Sequence, residues 1–119
     1  MQKNTGLKRI VKAFGYSIDG LKTAIHSEAA FRQELALFFI GVPLAFWLDV
    51  TTIERILMIA SLFLVLITEL INTSLEYVIE RISNDWHEAS KKVKDLGSAA
   101  VLLSLFNASM VWGMILFQL

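Results

Sequence analysis

The chain has 119 residues, which is enough for one domain and no more. Apolar residues make up 55% of it and charged residues only 18%, against about 25% in a typical soluble domain. There is no cysteine, which excludes a disulfide framework and a thiolate metal site, and the net charge of zero indicates no class of partner.

The first segment, about residues 6–26, is predicted to be an amphipathic helix, because its apolar residues recur at helical spacing. Its opposite face is basic, and a basic amphipathic helix ahead of a membrane span is expected to lie on the membrane surface. We favour headgroup neutralisation as the role of most of these cations. The segment is too charged to be a cleavable signal peptide. The apolar positions are Leu7, Ile10, Val11, Phe14, Ile18, Leu21 and Ile25.

Three membrane spans are predicted to follow, at about residues 33–48, 55–80 and 95–118. The run Leu96–Leu119 has no charge, and Ile56–Ile79 has only two acids. Leu35–Leu48 is shorter and covers about 21 Å of a ~30 Å hydrocarbon core, so the first span must begin earlier, with polar flanks that snorkel. A soluble bundle is excluded, because a chain of this length cannot bury three helices that are apolar all round.

The connections between the spans predict the orientation. Residues 49–55, DVTTIER, are a turn in which Thr51 or Thr52 is expected to cap the second span. Lys and Arg favour the cytoplasmic side, which places the N terminus and the 81–95 connection inside and the C terminus in the periplasm of a bacterial inner membrane. The cations that count are Lys3, Lys8, Arg9, Lys12, Lys22 and Arg32 before the first span, Arg55 after it, and Arg81, Lys91, Lys92 and Lys94 after the second.

A polar stripe ends the second span in ELINTSLEYVIERI, residues 69–82. Its polar members share a helical face about 100° wide, with the first acid about 9 Å below the cytoplasmic surface. Interhelical polar contacts would explain one or two of them, but aligned acids repel one another unless cations lie between them. We therefore favour a functional site, although the last acid could equally pair with a cation near the headgroups. The five are Glu69, Asn72, Thr73, Glu76 and Glu80.

Further charged residues are expected at the same boundary, namely Glu28, Asp95, Arg9 and Lys94. Carboxylates of this kind suit Mg²⁺, which takes one or two of them together with phosphate oxygens, and Lys and Arg suit the phosphates. A carboxylate just below the surface suits a lipid hydroxyl as a base. The residues thus predict phosphoryl transfer to a lipid headgroup, without a P-loop or a protein-kinase catalytic loop.

Four motifs in this order resemble the small prokaryotic integral-membrane diacylglycerol kinase family: EAAFRQE, WLD, ELINTSLEYVIERI and KDLGSAAV. The resemblance runs from about Gly6 to Trp112. It implies an all-α membrane protein with a surface helix and three spans, assembled as a homotrimer whose active sites are shared between subunits. The implied reaction moves the γ-phosphate of MgATP to diacylglycerol and gives phosphatidic acid. The implied partners are ATP, the lipid, the membrane and further copies of the chain, with no nucleic acid.

The resemblance also implies residue roles. Glu69 matches the general base, and Glu28 and Glu76 match carboxylates that bridge the metal. The nucleotide positions are Arg9, Tyr16, Glu28, Asn72, Glu76, Asp85, Trp86, His87, Lys94 and Asp95. The lipid positions are Arg9, Arg32, Trp47, Arg55, Glu69 and Ser98. The family pattern has Glu and Tyr where this chain has Asp85 and Trp86, and Pro43 is atypical, since it should kink the first span.

Other functions remain open from the residues alone. A related undecaprenol kinase differs only in its acceptor lipid, which no short motif here determines. A proton or ion conductor with Glu69 as relay would need polar groups through the membrane depth, but the chain offers little beyond Ser61, Ser104 and Asn107. A non-catalytic anchor gives no reason for the acids.

Overall fold

The structure is a computed structural model that describes residues 5–119; Lys3, which contributed to the predicted orientation, lies outside this range. The described residues form four helices and no strand, and three of the helices are long and apolar enough to cross a membrane. The predicted all-α membrane fold is therefore confirmed. The helices are α1 (Gly6–Ser27), α2 (Ala29–Trp47), α3 (Thr52–Ile82) and α4 (Glu88–Phe117).

Helix α3 is central, since it packs against α2 on one side and against α4 on the other. It contributes more buried residues than any other helix, whereas the buried residues of α4 are all small: Gly97, Ser104 and Ala108. Small residues let two helix backbones approach closely inside a membrane. Helix α2 continues through Pro43, so the kink expected there does not end the helix.

One end of the bundle, which we call the turn end, joins α2 to α3 through residues 48–51. Thr51 Oγ1 accepts a hydrogen bond from the Glu54 backbone N–H at 3.1 Å, and Glu54 Oε1 accepts one from the Thr51 N–H at 2.9 Å. This reciprocal capping box fixes the start of α3 and confirms that Thr51, one of the two predicted candidates, is the cap.

The opposite end, which we call the acidic end, joins α3 to α4 through residues 83–87. His87 Nδ1 accepts a hydrogen bond from the Ala89 N–H at 3.0 Å, so this side chain caps α4. Ion pairs one helical turn apart, Lys91 with Asp95 at 2.6 Å and Lys92 with Glu88 at 3.4 Å, support the first turns of the helix. These contacts explain why α4 begins about two turns before the predicted span.

Helix α1 joins the bundle through its C-terminal end. Ala24 and Phe31 are buried together with Leu66 of α3. Arg32 Nη1 donates to the carbonyl oxygens of Ile25 at 2.7 Å and His26 at 3.2 Å, which satisfies backbone groups at the end of α1. Every side chain from residue 5 to residue 23 is exposed, so the apolar face of α1 is available to a lipid surface.

Candidate active site

Burial decreases along the polar stripe of α3 toward the acidic end. Glu69 and Thr73 are each only 5% exposed, Asn72 and Glu76 are half-buried, and Glu80 is exposed. Glu76 lies two helical turns, about 10.5 Å, beyond Glu69. The stripe therefore begins with a carboxylate inside the bundle and ends with one in contact with solvent.

A cavity of about 200 Å³ brings together two acids that the family resemblance assigns to a metal. Glu28 lies between α1 and α2, whereas Glu76 belongs to α3, and both line this cavity with Glu80. Residues 48 positions apart in the chain thus converge at the acidic end. Ser27 and Tyr77 complete the lining.

A second cavity, of about 490 Å³, lies against the connection between α3 and α4. Four of the residues predicted to bind the nucleotide line it: Asp85, Trp86, His87 and Lys94. Glu80 lines both cavities, so they are neighbours. The remaining lining residues are Ile79, Ser83, Asn84, Ser90 and Lys91.

Glu76 has two polar partners on different helices. Asn72 Nδ2 donates a hydrogen bond to Glu76 Oε1 at 3.4 Å, and the Lys94 charge of α4 acts on the same carboxylate. Asp95, the neighbour of Lys94, is paired with Lys91 and is 62% exposed in its side chain. The nucleotide role predicted for Asp95 therefore stays a prediction.

Several predicted site residues are not brought to the acids within one chain. Arg9 and Tyr16 are exposed on the first half of α1 and line neither cavity at the acidic end. Ser98 is exposed on α4, and Arg32 is engaged with the last carbonyls of α1.

Two predicted lipid positions, Trp47 and Arg55, lie at the turn end. Arg55 precedes Glu69 by 14 residues of continuous helix, which is about 21 Å. Its guanidinium donates to the Ala45 carbonyl at 2.8 Å and to two turn carbonyls at 3.4 Å, and it lies 5.6 Å from the Phe46 ring centroid. The predicted contact of these two residues with the lipid stays a prediction, and at this distance from Glu69 it would be a contact with acyl chains.

The structure adds one acid that the sequence reasoning missed. Glu34 of α2 interacts electrostatically with Glu69, and its Oε2 atom is buried without a hydrogen-bond partner among the described residues. In the sequence, Glu34 directly precedes the apolar run Leu35–Leu48 and is indistinguishable from a polar flank of the first span. It lies three residues after the buried Phe31, and this helical period places it on the inner face of α2.

A larger cavity, of about 570 Å³, separates the C-terminal half of α1 from α3. Its walls are mostly apolar with a few hydroxyls, among them Thr73, whose Oγ1 is buried without a hydrogen-bond partner in the described part of the chain. The other lining residues are Ser17, Gly20, Leu21, Thr23, Ala24, Leu70, Ser74 and Tyr77. No sequence pattern predicts this cavity, because it depends on how α1 packs over α3.

The acidic end does not form a complete metal site from protein ligands. Within residues 5–119, no group of three or more His, Asp or Glu side chains is arranged to hold a metal ion. Mg²⁺ usually takes one or two protein carboxylates and completes its shell with phosphate oxygens and water. The pair Glu28 and Glu76, in one cavity beside Lys94, fits such a partial site.

The fold and this site define a small helical protein embedded in the membrane. Its central helix ends in a cluster of acidic residues whose burial decreases toward the end of the helix. The sequence profile described as "Prokaryotic diacylglycerol kinase" matches residues 15–116. The chain belongs to the prokaryotic diacylglycerol kinase family, which confirms the resemblance seen in its motifs.

Curated relatives agree with this assignment over nearly the whole chain. The protein named diacylglycerol kinase from Escherichia coli strain K12 is 47% identical over 114 residues, which are 96% of this chain and 93% of that protein. The diacylglycerol kinase of Haemophilus influenzae is 47% identical over 98% of this chain and 99% of its own length. That of Helicobacter pylori strain 26695 is 40% identical over 98% of this chain and 91% of its own length.

Proposed function

We propose that this chain is an ATP-dependent diacylglycerol kinase, which converts ATP and diacylglycerol to ADP and phosphatidic acid. The observation that carries the proposal is a buried carboxylate, Glu69, set two helical turns from the cavity that joins Glu28 and Glu76. A buried acid on a membrane span requires a partner or a reaction. The names of the relatives at 47% identity supply the reaction class and the acceptor.

Glu69 acts in this proposal as the general base. Its carboxylate accepts the proton of the lipid hydroxyl while the hydroxyl oxygen forms a bond to the γ-phosphorus of ATP. The bond from that phosphorus to the β–γ bridging oxygen breaks, and ADP leaves with the electron pair. The depth of Glu69 suits a hydroxyl whose acyl chains remain in the membrane.

Glu28 and Glu76 are proposed to hold Mg²⁺ against the ATP phosphates. The ion would neutralise the charge that develops on the transferred phosphoryl group. Lys94 would bind the phosphates as a point charge, since its own charge already acts on Glu76. The cavity at residues 83–87, with Asp85, Trp86 and His87, would take the adenosine end because it adjoins the carboxylates through Glu80.

The lipid is proposed to approach through the cavity between α1 and α3. Its mostly apolar walls suit the glycerol and upper acyl region. The exposed apolar face of α1 would rest on the same leaflet.

The orientation proposed for the bacterial inner membrane has the N terminus and the acidic end in the cytoplasm and the C terminus in the periplasm. The support is the excess of Lys and Arg ahead of α2 and around the 83–87 connection. Reporter fusions test it: a reporter active only in the cytoplasm should work at the N terminus, and one active only outside should work after Leu119. A cytoplasmic C terminus would contradict the topology.

A homotrimer with shared active sites is proposed as the assembly. Its support is that Arg9 and Tyr16 do not line the acidic cavities of their own chain, so a neighbouring subunit would have to supply them. Mixed oligomers of the variants Arg9→Ala and Glu69→Gln, each expected to be inactive, test this. In such oligomers some sites would combine an intact Glu69 from one subunit with an intact Arg9 from its neighbour. The mixed oligomers are expected to be more active than either variant alone. If they show no such activity, the sites are not shared.

The acceptor is tested with purified protein, MgATP and one lipid at a time. Diacylglycerol should be phosphorylated rapidly and undecaprenol slowly. The reverse preference would assign the chain to the undecaprenol kinases. An ion conductor is disfavoured by the outer half of α3, whose buried face is apolar except for Ser61, and that hydroxyl donates to the Met58 carbonyl at 2.7 Å.

A further inference from the structure

Gly97 of α4 lies directly against Asn72 of α3. A β-carbon built at position 97 would overlap Asn72 Oδ1 and would lie 3.1 Å from Asn72 Cγ. The amide oxygen of Asn72 thus occupies the space that any side chain at position 97 would fill. Gly97 is also buried, as one of the small residues that α4 turns toward α3.

A polar pair also joins α3 and α4 deeper in the bundle. Thr68 Oγ1 and Ser104 Oγ form a hydrogen bond of 3.0 Å between α3 and α4. From that pair toward the acidic end, Asn72 is four residues, about 6 Å, further along α3, and Gly97 is seven residues, about 10.5 Å, back along α4, on the same faces. The two contacts therefore lie along one seam between α3 and α4.

The position of the Asn72 oxygen determines where its amide nitrogen points. A carboxylate can only accept hydrogen bonds, so the group that faces Glu76 must be the NH₂ group, and Nδ2 donates to Glu76 Oε1 at 3.4 Å. With Oδ1 resting on Gly97, Nδ2 is directed toward Glu76. A methyl group at position 97 would displace the end of the Asn72 side chain, which is the flexible part of that residue.

We infer that Gly97 is a positioning residue for the phosphoryl-transfer site: the absence of a side chain there seats the Asn72 amide, which in turn orients the Glu76 carboxylate. The inference rests on the proposed function, in which Glu76 holds Mg²⁺. Supporting residues of metal ligands affect metal affinity strongly, by about 10–100-fold when they are lost. Displacement of one such residue should have an effect at the lower end of that range.

The test compares two Gly→Ala substitutions in the same helix. In Gly97→Ala, the Mg²⁺ concentration that gives half-maximal phosphorylation of diacylglycerol should rise roughly tenfold, while the KM for the lipid stays unchanged. Gly113→Ala is the matched control, because a β-carbon there would meet nothing within 4 Å. It should leave the Mg²⁺ titration unchanged, and both variants should melt as folded proteins in detergent.

A double-mutant cycle separates positioning from general packing. In an Asn72→Ala background, Gly97→Ala should have no further effect on the Mg²⁺ titration, because the displaced amide is absent. A normal titration for Gly97→Ala, an equal shift in the Asn72→Ala background, or loss of the folded state would each overturn the inference. If Asn72→Ala and Glu76→Gln both titrate normally, the proposed metal site fails, and the inference fails with it.

Discussion

The two ends of α3 contain similar residues but use them differently. At the turn end, Glu54 and Arg55 are bound to backbone groups: the carboxylate caps its own helix, and the guanidinium satisfies the carbonyls that end α2. At the acidic end, Glu69 is buried and forms no ion pair within residues 5–119, and Glu28 and Glu76 line a cavity. Charge that satisfies the backbone stabilises the fold, whereas charge left without such a partner is available for chemistry.

The two arrangements also differ in their effect on the stability of the fold. A charged group bonded to helix ends replaces water as their partner and stabilises the chain. A cluster of acids at the membrane boundary is unfavourable until cations occupy it, because like charges repel. The acidic end is therefore expected to be the less stable half in the absence of MgATP, and the half that responds to it.

The largest expected effect comes from Glu69→Gln, which removes the proposed base but keeps the shape of the side chain. Turnover of diacylglycerol should fall by roughly 10²–10⁴-fold, the usual contribution of a general base. Binding of MgATP should persist, because the proposed metal ligands lie elsewhere. Initial rates of phosphatidic acid formation and equilibrium binding of MgATP measure the two parts.

The matched control is Glu54→Gln, the same change in the same helix at the turn end. Glutamine can still complete the capping box, so turnover and the proposed oligomer should both be retained. If Glu69→Gln instead falls apart in detergent while Glu54→Gln does not, Glu69 is a contact between helices and the base lies elsewhere. Near-normal turnover of Glu69→Gln would also contradict the assignment.

The second effect concerns the metal. Glu76→Gln should raise the Mg²⁺ concentration for half-maximal rate by about a hundredfold, since it removes a proposed ligand rather than a neighbour of one. Glu88→Gln is the control: it neutralises an exposed acid at the same end, where Glu88 pairs with Lys92 on the surface. A titration of Glu76→Gln that matches that of Glu88→Gln would remove Glu76 from the metal site.

The long apolar runs made the architecture predictable, because a helix that is apolar all round has few alternatives to a membrane. The ends of the helices were less predictable, since they depend on individual side chains. The cap of α4 is a histidine, His87, which is not among the usual capping residues. Because of this local contact, the helix begins about two turns before the predicted span.

The site was predictable where its residues share one helix and less so where they do not. The stripe from Glu69 to Glu80 follows from helical period alone. Glu34 was missed because a polar residue next to a short apolar run is equally explained as a flank of the span. Gly97 was missed because the need for a residue without a side chain arises only from the packing of α4 on α3, which the sequence does not show.

The third effect is on stability and belongs to the turn end. Arg55→Met should lower the free energy of unfolding by about 1–3 kcal/mol, because the carbonyls at Ala45, Leu48 and Val50 lose a charged donor. Unfolding in mixed micelles at increasing SDS measures it. Arg81→Met, which alters an exposed cation at the far end of α3, should cost less. An equal decrease in the free energy of unfolding in both variants would mean that the hydrogen bonds of Arg55 at the turn add no stability of their own.

The smallest effect lies between the two ends, at the hydrogen bond that joins Thr68 and Ser104. Thr68→Val and Ser104→Ala should each destabilise the fold slightly, and their double-mutant cycle should give a coupling of about 0.6 kcal/mol, the average for interhelical hydrogen bonds in membranes. The value is small because the single proton of the Thr68 hydroxyl is shared between Ser104 Oγ and the Leu64 carbonyl at 3.0 Å, while Ser104 donates its own proton to the Val101 carbonyl at 2.6 Å. If this bond sets the register that brings Gly97 to Asn72, the double variant should also require more Mg²⁺ while it remains folded. A coupling near zero, with an unchanged Mg²⁺ titration, would mean that the register of α3 and α4 is set by the small residues of α4 alone.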